Sequence, residues 1–175
     1  MKKTLFAIAA AIISLSLASC DKEEPAEKVH EGDALPAFTV TMSDGTVYDS
    51  TAETDKQGTL IIFFSTMCQQ CQDLLPDVQL MYNNYRNEVD IVPISREQGT
   101  QQLSTYWKIK DFTFPYSGQE DRTVYELFAN SGIPRAYFAK DGKIVKAWSD
   151  TDTFNLSVVE AYFKEVLEPG IIIVM

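Results

Sequence analysis

The stretch TLIIFFSTMCQQC, from Thr59 to Cys71, combines an apolar run with two cysteines that lie three positions apart. The residues before Ser65 form a mostly apolar run, which is typical of a strand buried on both faces. From about Cys68 to Arg86 apolar residues recur at helical spacing, so the two cysteines lie where a helix is predicted to begin. At this spacing one thiol can attack a disulfide and the other can resolve the mixed disulfide. The same spacing can also supply half of a zinc site or a static crosslink.

The rest of the chain predicts an α/β layout with a mixed sheet. Hairpin signals occur at Asp44-Gly45 and at Asp141-Gly142, each between two extended segments. The predicted strands cover 38–42, 46–48, 59–64, 89–94, 135–139 and 143–148. The predicted long helices cover 68–86, 98–107 and 154–167. A short helix is predicted after Asp121, with Val124, Leu127 and Phe128 facing inward.

The N-terminus has the pattern of an export signal. Two lysines precede an apolar stretch that is too short for a membrane span, and the stretch ends in Leu-Ala-Ser before Cys20. This ending resembles the lipobox of bacterial lipoproteins, in which the cysteine is acylated and becomes the first mature residue; an ordinary signal peptide is the alternative. We therefore expect a signal peptide over 1–19, lipid on Cys20, a flexible charged tether over 20–31 and one domain over 32–175. Such a protein would be anchored to a membrane on the periplasmic or cell-surface side.

Composition removes several classes of function. The formal net charge of −10 argues against nucleic acid as a partner. The single histidine, His30, falls in the predicted tether, so a histidine-based metal site or a Cys-His pair is not expected in the domain. With Cys20 consumed by lipid, Cys68 and Cys71 are the only free pair of thiols. A crosslink between them closes a very small loop and restrains the unfolded chain little, so a purely structural disulfide is poorly motivated.

Five landmarks in order along the chain resemble the membrane-tethered thiol-disulfide oxidoreductases of the TlpA/ResA type. They are the segment Gly32–Phe38, the strand and motif Phe63–Cys71, a proline within the helix at Pro76, the loop Gly132–Pro134 and the hairpin Phe138–Ile144. The resemblance implies a thioredoxin fold, with a mixed central sheet flanked by helices and an N-terminal β-hairpin extension.

The resemblance also implies roles for individual residues. Cys68 would be the exposed nucleophile at the helix N-terminus, where the helix dipole favours a thiolate, and Cys71 would be the buried resolving thiol. Pro134 would follow a cis peptide bond and place the backbone of Ile133 beside the disulfide, where an extended substrate segment can pair with it. The implied partners are protein disulfides or dithiols and a membrane protein that relays electrons. The Cys68–Cys71 pair itself would be the redox group, with no other cofactor and no metal.

The sequence departs from the pattern of this family at positions that tune the chemistry. Met67 stands where tryptophan is frequent, and Gln70 stands where proline is frequent. Ile62 occupies the position of the buried carboxylate with which thioredoxin assists proton removal from the second cysteine. Arg135 replaces a common threonine after the proline. These changes predict a different substrate preference and redox poise.

Two other classes of function share parts of this pattern. A peroxidase of the peroxiredoxin kind has a Pro-x-x-x-Thr-x-x-Cys motif, whereas here Thr66 lies two residues before Cys68 and no proline precedes it. A Cu(I) carrier or a redox-inert binding domain is the second alternative, because a pair of thiolates can hold Cu(I). A disulfide reductase remains the leading hypothesis.

Overall fold

The structure, a computed structural model, describes residues 26–149 and 154–167. The predicted strands and helices are found in these ranges, with bounds that differ by a few residues. The strands are β1 Thr39–Thr41, β2 Val47–Asp49, β3 Thr59–Phe64, β4 Asp90–Ser95, β5 Arg135–Lys140 and β6 Lys143–Trp148, and the helices are α1 Gln69–Tyr85, α2 Thr100–Lys110 and α3 Leu156–Val166, with a short 3-10 helix at Tyr125–Leu127.

The central sheet is mixed, as the sequence predicts, and has the strand order β4-β3-β5-β6. Strands β3 and β4 are parallel because α1 provides the long crossover that such a pair requires. Strands β5 and β6 form an antiparallel hairpin whose turn places Asp141 and Gly142 at φ 52° and 71°. The first hairpin, β1 with β2, is a separate two-stranded sheet, so the predicted N-terminal extension is confirmed.

The residues of β3 contribute to both hydrophobic cores that the described residues form. Leu60, Ile62 and Phe64 pack with buried side chains of the three α-helices, whereas Ile61 and Phe63 pack on the opposite face with β1 and the 3-10 helix. All of β3 is buried, as the continuous apolar run predicts. Each fully buried side chain of this size contributes about 1.5–3 kcal/mol to folding. Strand β3 is therefore packed on both faces, and the cysteine motif directly follows it.

The predicted flexible tether is wrong for its last residues, because 26–31 pack against the domain. Val29 is 6% exposed and belongs to a hydrophobic core. The N–H groups of Lys28 and Val29 both donate to the carbonyl of Phe128, at 3.0 and 3.2 Å. Because the segment is rich in charged residues, its sequence does not indicate these backbone contacts. The predicted signal peptide, the lipid on Cys20 and the first part of the tether lie outside the described residues, as do 168–175.

The short helix after Asp121 also differs from its prediction. Leu127 is 39% exposed, while Tyr125 is buried. The segment is a 3-10 helix, in which side chains three residues apart share one face. Tyr125 and Phe128 therefore face the core together, whereas the helical spacing of the sequence had favoured Leu127.

Candidate active site

The carboxyl ends of the two parallel strands meet at one edge of the sheet, and the cysteine motif follows one of them. Cys68 is the N-cap of α1, and its backbone is extended, with φ −100° and ψ 120°. Its N–H donates to the carbonyl of Ser65 at 3.2 Å, and its own carbonyl accepts from the N–H of Gln72 at 3.0 Å. The first turn of α1 contains no acidic residue. An anionic sulfur on Cys68 therefore lies at the positive end of an uncompensated helix dipole.

The two thiols have very different surroundings. Cys68 is partly exposed and Cys71 is fully buried, and both are free thiols. Burial raises the pKa of the Cys71 thiol, and the neighbouring Cys68 sulfur raises it further. A backbone hydrogen bond at Ser65 and the positive charge of Arg96 act in the opposite direction without reversing the shift. Cys71 is therefore a neutral thiol at neutral pH, held directly behind the more accessible one.

The predicted substrate-binding residues lie beside this pair. The sulfur of Cys68 is 3.7 Å from the carbonyl oxygen of Ile133, to which its thiol donates. The Ile133–Pro134 peptide bond is cis. Ile133 is half-buried and Pro134 is buried. The structure thus brings Cys68, Cys71, Ile133 and Pro134 together, and the role of the last two in binding stays a prediction.

Arg135 holds the loop that precedes Ile133. Its side chain is only 4% exposed, and Nε donates to the carbonyls of Ser131 and Gly132 at 2.9 and 3.1 Å. Its Nη1 pairs with the carboxylate of Glu27 at 3.1 Å. The residue that replaces the family's threonine is therefore a buried structural contact. The sequence could not reveal its partner, because Glu27 belongs to the segment predicted to be a tether.

Gln98 is a residue of the site that sequence reasoning missed. Its Oε1 accepts hydrogen bonds from the Ser65 hydroxyl at 2.9 Å and from the Thr66 N–H at 2.7 Å. Its Nε2 donates to the Thr66 hydroxyl oxygen at 2.8 Å. These contacts join residues more than thirty positions apart in the chain, and the sequence contains no local pattern that indicates them.

The hydroxyl of Tyr106 is buried and has no hydrogen-bond partner among the described residues. Desolvation raises the pKa of Tyr106, and the negative charge of Asp73 adds to this effect, as does Cys71 when it is ionised. Tyr106 packs on the helix-side core that contains Cys71. In the described ranges, no group of three or more His, Cys, Asp or Glu residues could hold a metal ion.

A large cleft lies at the other end of the sheet, where β3 and β4 begin. Its volume is about 1070 Å³, and its lining includes Tyr48, Lys56, Gly58, Arg86 and Asp90. Several of these polar groups already have partners within the protein: Asp90 accepts from the Thr54 hydroxyl at 2.8 Å, and Lys56 donates to a backbone carbonyl at 3.0 Å. The lining contains no cysteine and no histidine. This cleft therefore lacks the groups that the cysteine motif provides.

Comparisons with known proteins agree with this picture. The model of the AhpC/TSA family matches residues 31–147. The thiol-disulfide oxidoreductase ResA of Oceanobacillus iheyensis is 25% identical over 171 residues, which cover 94% of this chain and 87% of that protein. The fold resembles that of the pneumococcal exposed lipoprotein thioredoxin of Streptococcus pneumoniae, with a TM-score of 0.63, 19% identity and coverage of 74% of this chain and 99% of the other.

The fold also resembles that of a second solved structure. The thioredoxin domain of a thiol-disulfide oxidoreductase from Bacteroides vulgatus has a TM-score of 0.61 and 17% identity, over 77% of this chain and 98% of that domain. The thioredoxin fold that the sequence predicts is therefore confirmed. Among the described residues, no helix is both long and apolar enough to cross a membrane.

Proposed function

The chain belongs to the AhpC/TSA family, and we propose that it is an extracytoplasmic thiol-disulfide oxidoreductase that acts on protein disulfides through Cys68 and Cys71. The observation that carries this function is the inequality of the two thiols: Cys68 is accessible at the start of α1, and Cys71 is buried behind it. Such a pair can attack, and then release, a disulfide without any other redox group.

In the reducing direction the reaction has two exchanges. The Cys68 thiolate attacks one sulfur of a substrate disulfide, the substrate S–S bond breaks, and the leaving sulfur takes up a proton. Cys71 then loses its proton and attacks the Cys68 sulfur, which releases the second substrate thiol. The Cys68–Cys71 pair is oxidised to a disulfide and the substrate is reduced by two electrons. Because burial raises the pKa of Cys71, its proton leaves only in the second exchange, when the released substrate thiolate can accept it.

The substrate segment is proposed to lie along Ile133 and Pro134. The Ile133 carbonyl is 3.7 Å from the Cys68 sulfur, so a chain that pairs with this backbone brings its own sulfur close to the nucleophile. The exposed side chains that flank Cys68 in the sequence are uncharged: Met67 is 84% exposed, and Gln69 and Gln70 are also exposed. This surface suits neutral or apolar residues next to the substrate cysteine.

The location and direction of the reaction are further parts of the proposal. A lipid on Cys20 would anchor the chain, and the residues after it would link this anchor to the segment at Lys28 and Val29 that packs on the domain. The lipobox pattern supports this arrangement, as does the description of the pneumococcal neighbour as an exposed lipoprotein. We propose reduction as the physiological direction, with electrons supplied by a membrane dithiol protein.

Reduction of insulin by the full chain tests the activity. With excess dithiol reductant as the electron source, Cys68→Ser should lower the protein-dependent rate by at least about a thousandfold, as expected when a nucleophile is removed. An unchanged rate in Cys68→Ser would contradict the proposal. Hydrogen peroxide consumption is measured in parallel, and turnover of peroxide faster than that of the protein disulfide would favour the peroxidase alternative.

A further inference from the structure

Gln98 connects the ends of the two parallel strands at the active site. It lies after β4, yet its side chain contacts the loop that follows β3. The amide oxygen accepts from the Ser65 hydroxyl and the Thr66 N–H, at 2.9 and 2.7 Å, and the amide nitrogen donates to the Thr66 hydroxyl at 2.8 Å. Both atoms of the amide are thus used on two consecutive residues that immediately precede Met67 and Cys68.

The backbone of Gln98 is itself fixed to the end of β4. Ser95 is fully buried, and its hydroxyl donates to the Gln98 carbonyl at 2.5 Å and accepts from the Gln98 N–H at 3.1 Å. The N–H of Gln119 adds contacts of 3.0 Å to both the Gln98 carbonyl and the Ser95 hydroxyl. The backbone from which the Gln98 side chain extends is therefore held by hydrogen bonds to Ser95 and Gln119.

Three further bonds of the loop lie within the motif. The Ser65 hydroxyl accepts from the Met67 N–H at 3.1 Å, and the Ser65 carbonyl accepts from the Cys68 N–H at 3.2 Å. The Thr66 carbonyl accepts from the Gln72 amide at 2.7 Å. All of these bonds are local to the start of α1. Gln98 supplies the contacts that tie the loop to another strand.

We propose that Gln98 is a positioning residue for Cys68, which fixes the nucleophile between the N-terminus of α1 and the Ile133 carbonyl. The inference rests on the proposed function in treating Cys68 as the attacking sulfur. The three bonds set the path of the backbone from Ser65 into α1, so they set where the sulfur lies. A displacement of about 1 Å in a reacting group can reduce a rate by about a hundredfold.

An amide meets the needs of this loop better than other side chains of its size. Methionine has a similar length but would leave the Ser65 hydroxyl and the Thr66 N–H without their acceptor. Glutamate keeps that acceptor, and the Thr66 hydroxyl can turn to donate to it. Gln98→Glu would thus retain the loop while adding a negative charge near the nucleophile.

The test uses the full chain with Gln98→Met, Gln98→Glu and the control Gln102→Met, which changes an exposed glutamine of α2. The rate of Cys68 alkylation by iodoacetamide is measured from pH 5 to 9, and each protein is shown to be folded by its thermal transition. We expect Gln98→Met to slow alkylation at pH 7 by about tenfold, because a sulfur displaced from the N-terminus of α1 loses part of the helix-dipole interaction that favours its thiolate, and Gln102→Met to leave the rate unchanged. We expect Gln98→Glu to move the pH profile to higher pH, because the added charge opposes the thiolate.

Two outcomes would overturn the inference. One is a folded Gln98→Met protein that reacts at the wild-type rate with the wild-type pH profile. The other applies if Gln98→Met does not fold: a Gln98→Glu profile that coincides with that of the wild type. Because iodoacetamide replaces the protein substrate, these results are independent of the insulin assay. Failure of the full chain to reduce insulin would contradict the proposed function without changing them.

Discussion

The two ends of the central sheet differ in what they offer to another molecule. The amino end of β3 and β4 opens into a cleft of about 1070 Å³, whose polar side chains are partly bonded to one another and which contains no cysteine. The carboxyl end presents a surface with two thiols, one accessible and one buried. The volume of a cavity is therefore a poor guide to function in this protein. The reactive groups lie where the loops after two parallel strands converge.

The largest expected difference between variants at the two ends of the sheet is in the rate of disulfide reduction. Arg86→Gln combined with Asp90→Asn removes two charges from the lining of the cleft. Strand β3 separates the two ends by about 17–20 Å, which is beyond the range of unscreened charge effects at physiological salt. The insulin reduction rate should therefore stay within about twofold of the wild type, whereas Cys68→Ser should abolish it. A large loss in the cleft variant would show that the cleft takes part in the reaction.

Gly58→Ala tests the amino end through stability. A Cβ on Gly58 would overlap the ring of Phe138 and lie 2.8 Å from the carbonyl oxygen of Ala139. Overpacking of this kind typically costs about 1–3 kcal/mol. Urea denaturation should show this loss, while the insulin reduction rate of the folded variant should equal that of the wild type. A slower rate in a fully folded Gly58→Ala protein would contradict the independence of the two ends.

Cys71 should make the stability of the dithiol form depend on pH. Its pKa is raised above the ordinary value of 9.0 by burial, so the folded protein keeps a proton that the unfolded chain releases. The contribution of Cys71 to the free energy of unfolding is therefore fully present below about pH 9. It falls as pH rises further, with a slope of at most about 1.4 kcal/mol per pH unit. Urea denaturation at pH 7 to 10 in reductant should show this slope. Cys71→Ala should lack that part of it, and an identical slope in both proteins would contradict the buried thiol.

The smallest expected effect concerns Tyr106. Its hydroxyl is buried without a partner among the described residues, so Tyr106→Phe should change the free energy of unfolding by less than about 1 kcal/mol or raise it slightly. Tyr125→Phe is the matched control, because that hydroxyl donates to the Gly132 carbonyl at 2.7 Å. The control should lose about 0.5–1.5 kcal/mol. Equal losses in both variants would indicate that the Tyr106 hydroxyl is bonded.

The sequence predicted those parts of the fold that depend on local periodicity. The apolar run of β3, the helical spacing of α1 and the two hairpin signals were sufficient for an α/β layout with a mixed sheet and for the position of Cys68 and Cys71 at the start of a helix, and the resemblance to the TlpA/ResA-type proteins added the thioredoxin fold. The errors arose where distant residues decide the outcome. Val29 is buried by a backbone pairing with Phe128, and Gln98 contacts Ser65 across the sheet. Neither contact leaves a periodic pattern.

In the proposed reaction Cys68 attacks the substrate disulfide and Cys71 resolves the mixed disulfide. The most direct measurement is the intact mass of the full chain after reaction with insulin in the absence of added reductant. Cys71→Ser should accumulate a one-to-one mixed disulfide with insulin that dithiothreitol removes, because the resolving thiol is missing. Cys68→Ser should accumulate none. An adduct on Cys68→Ser equal to that on Cys71→Ser, or no adduct on Cys71→Ser, would contradict the assignment.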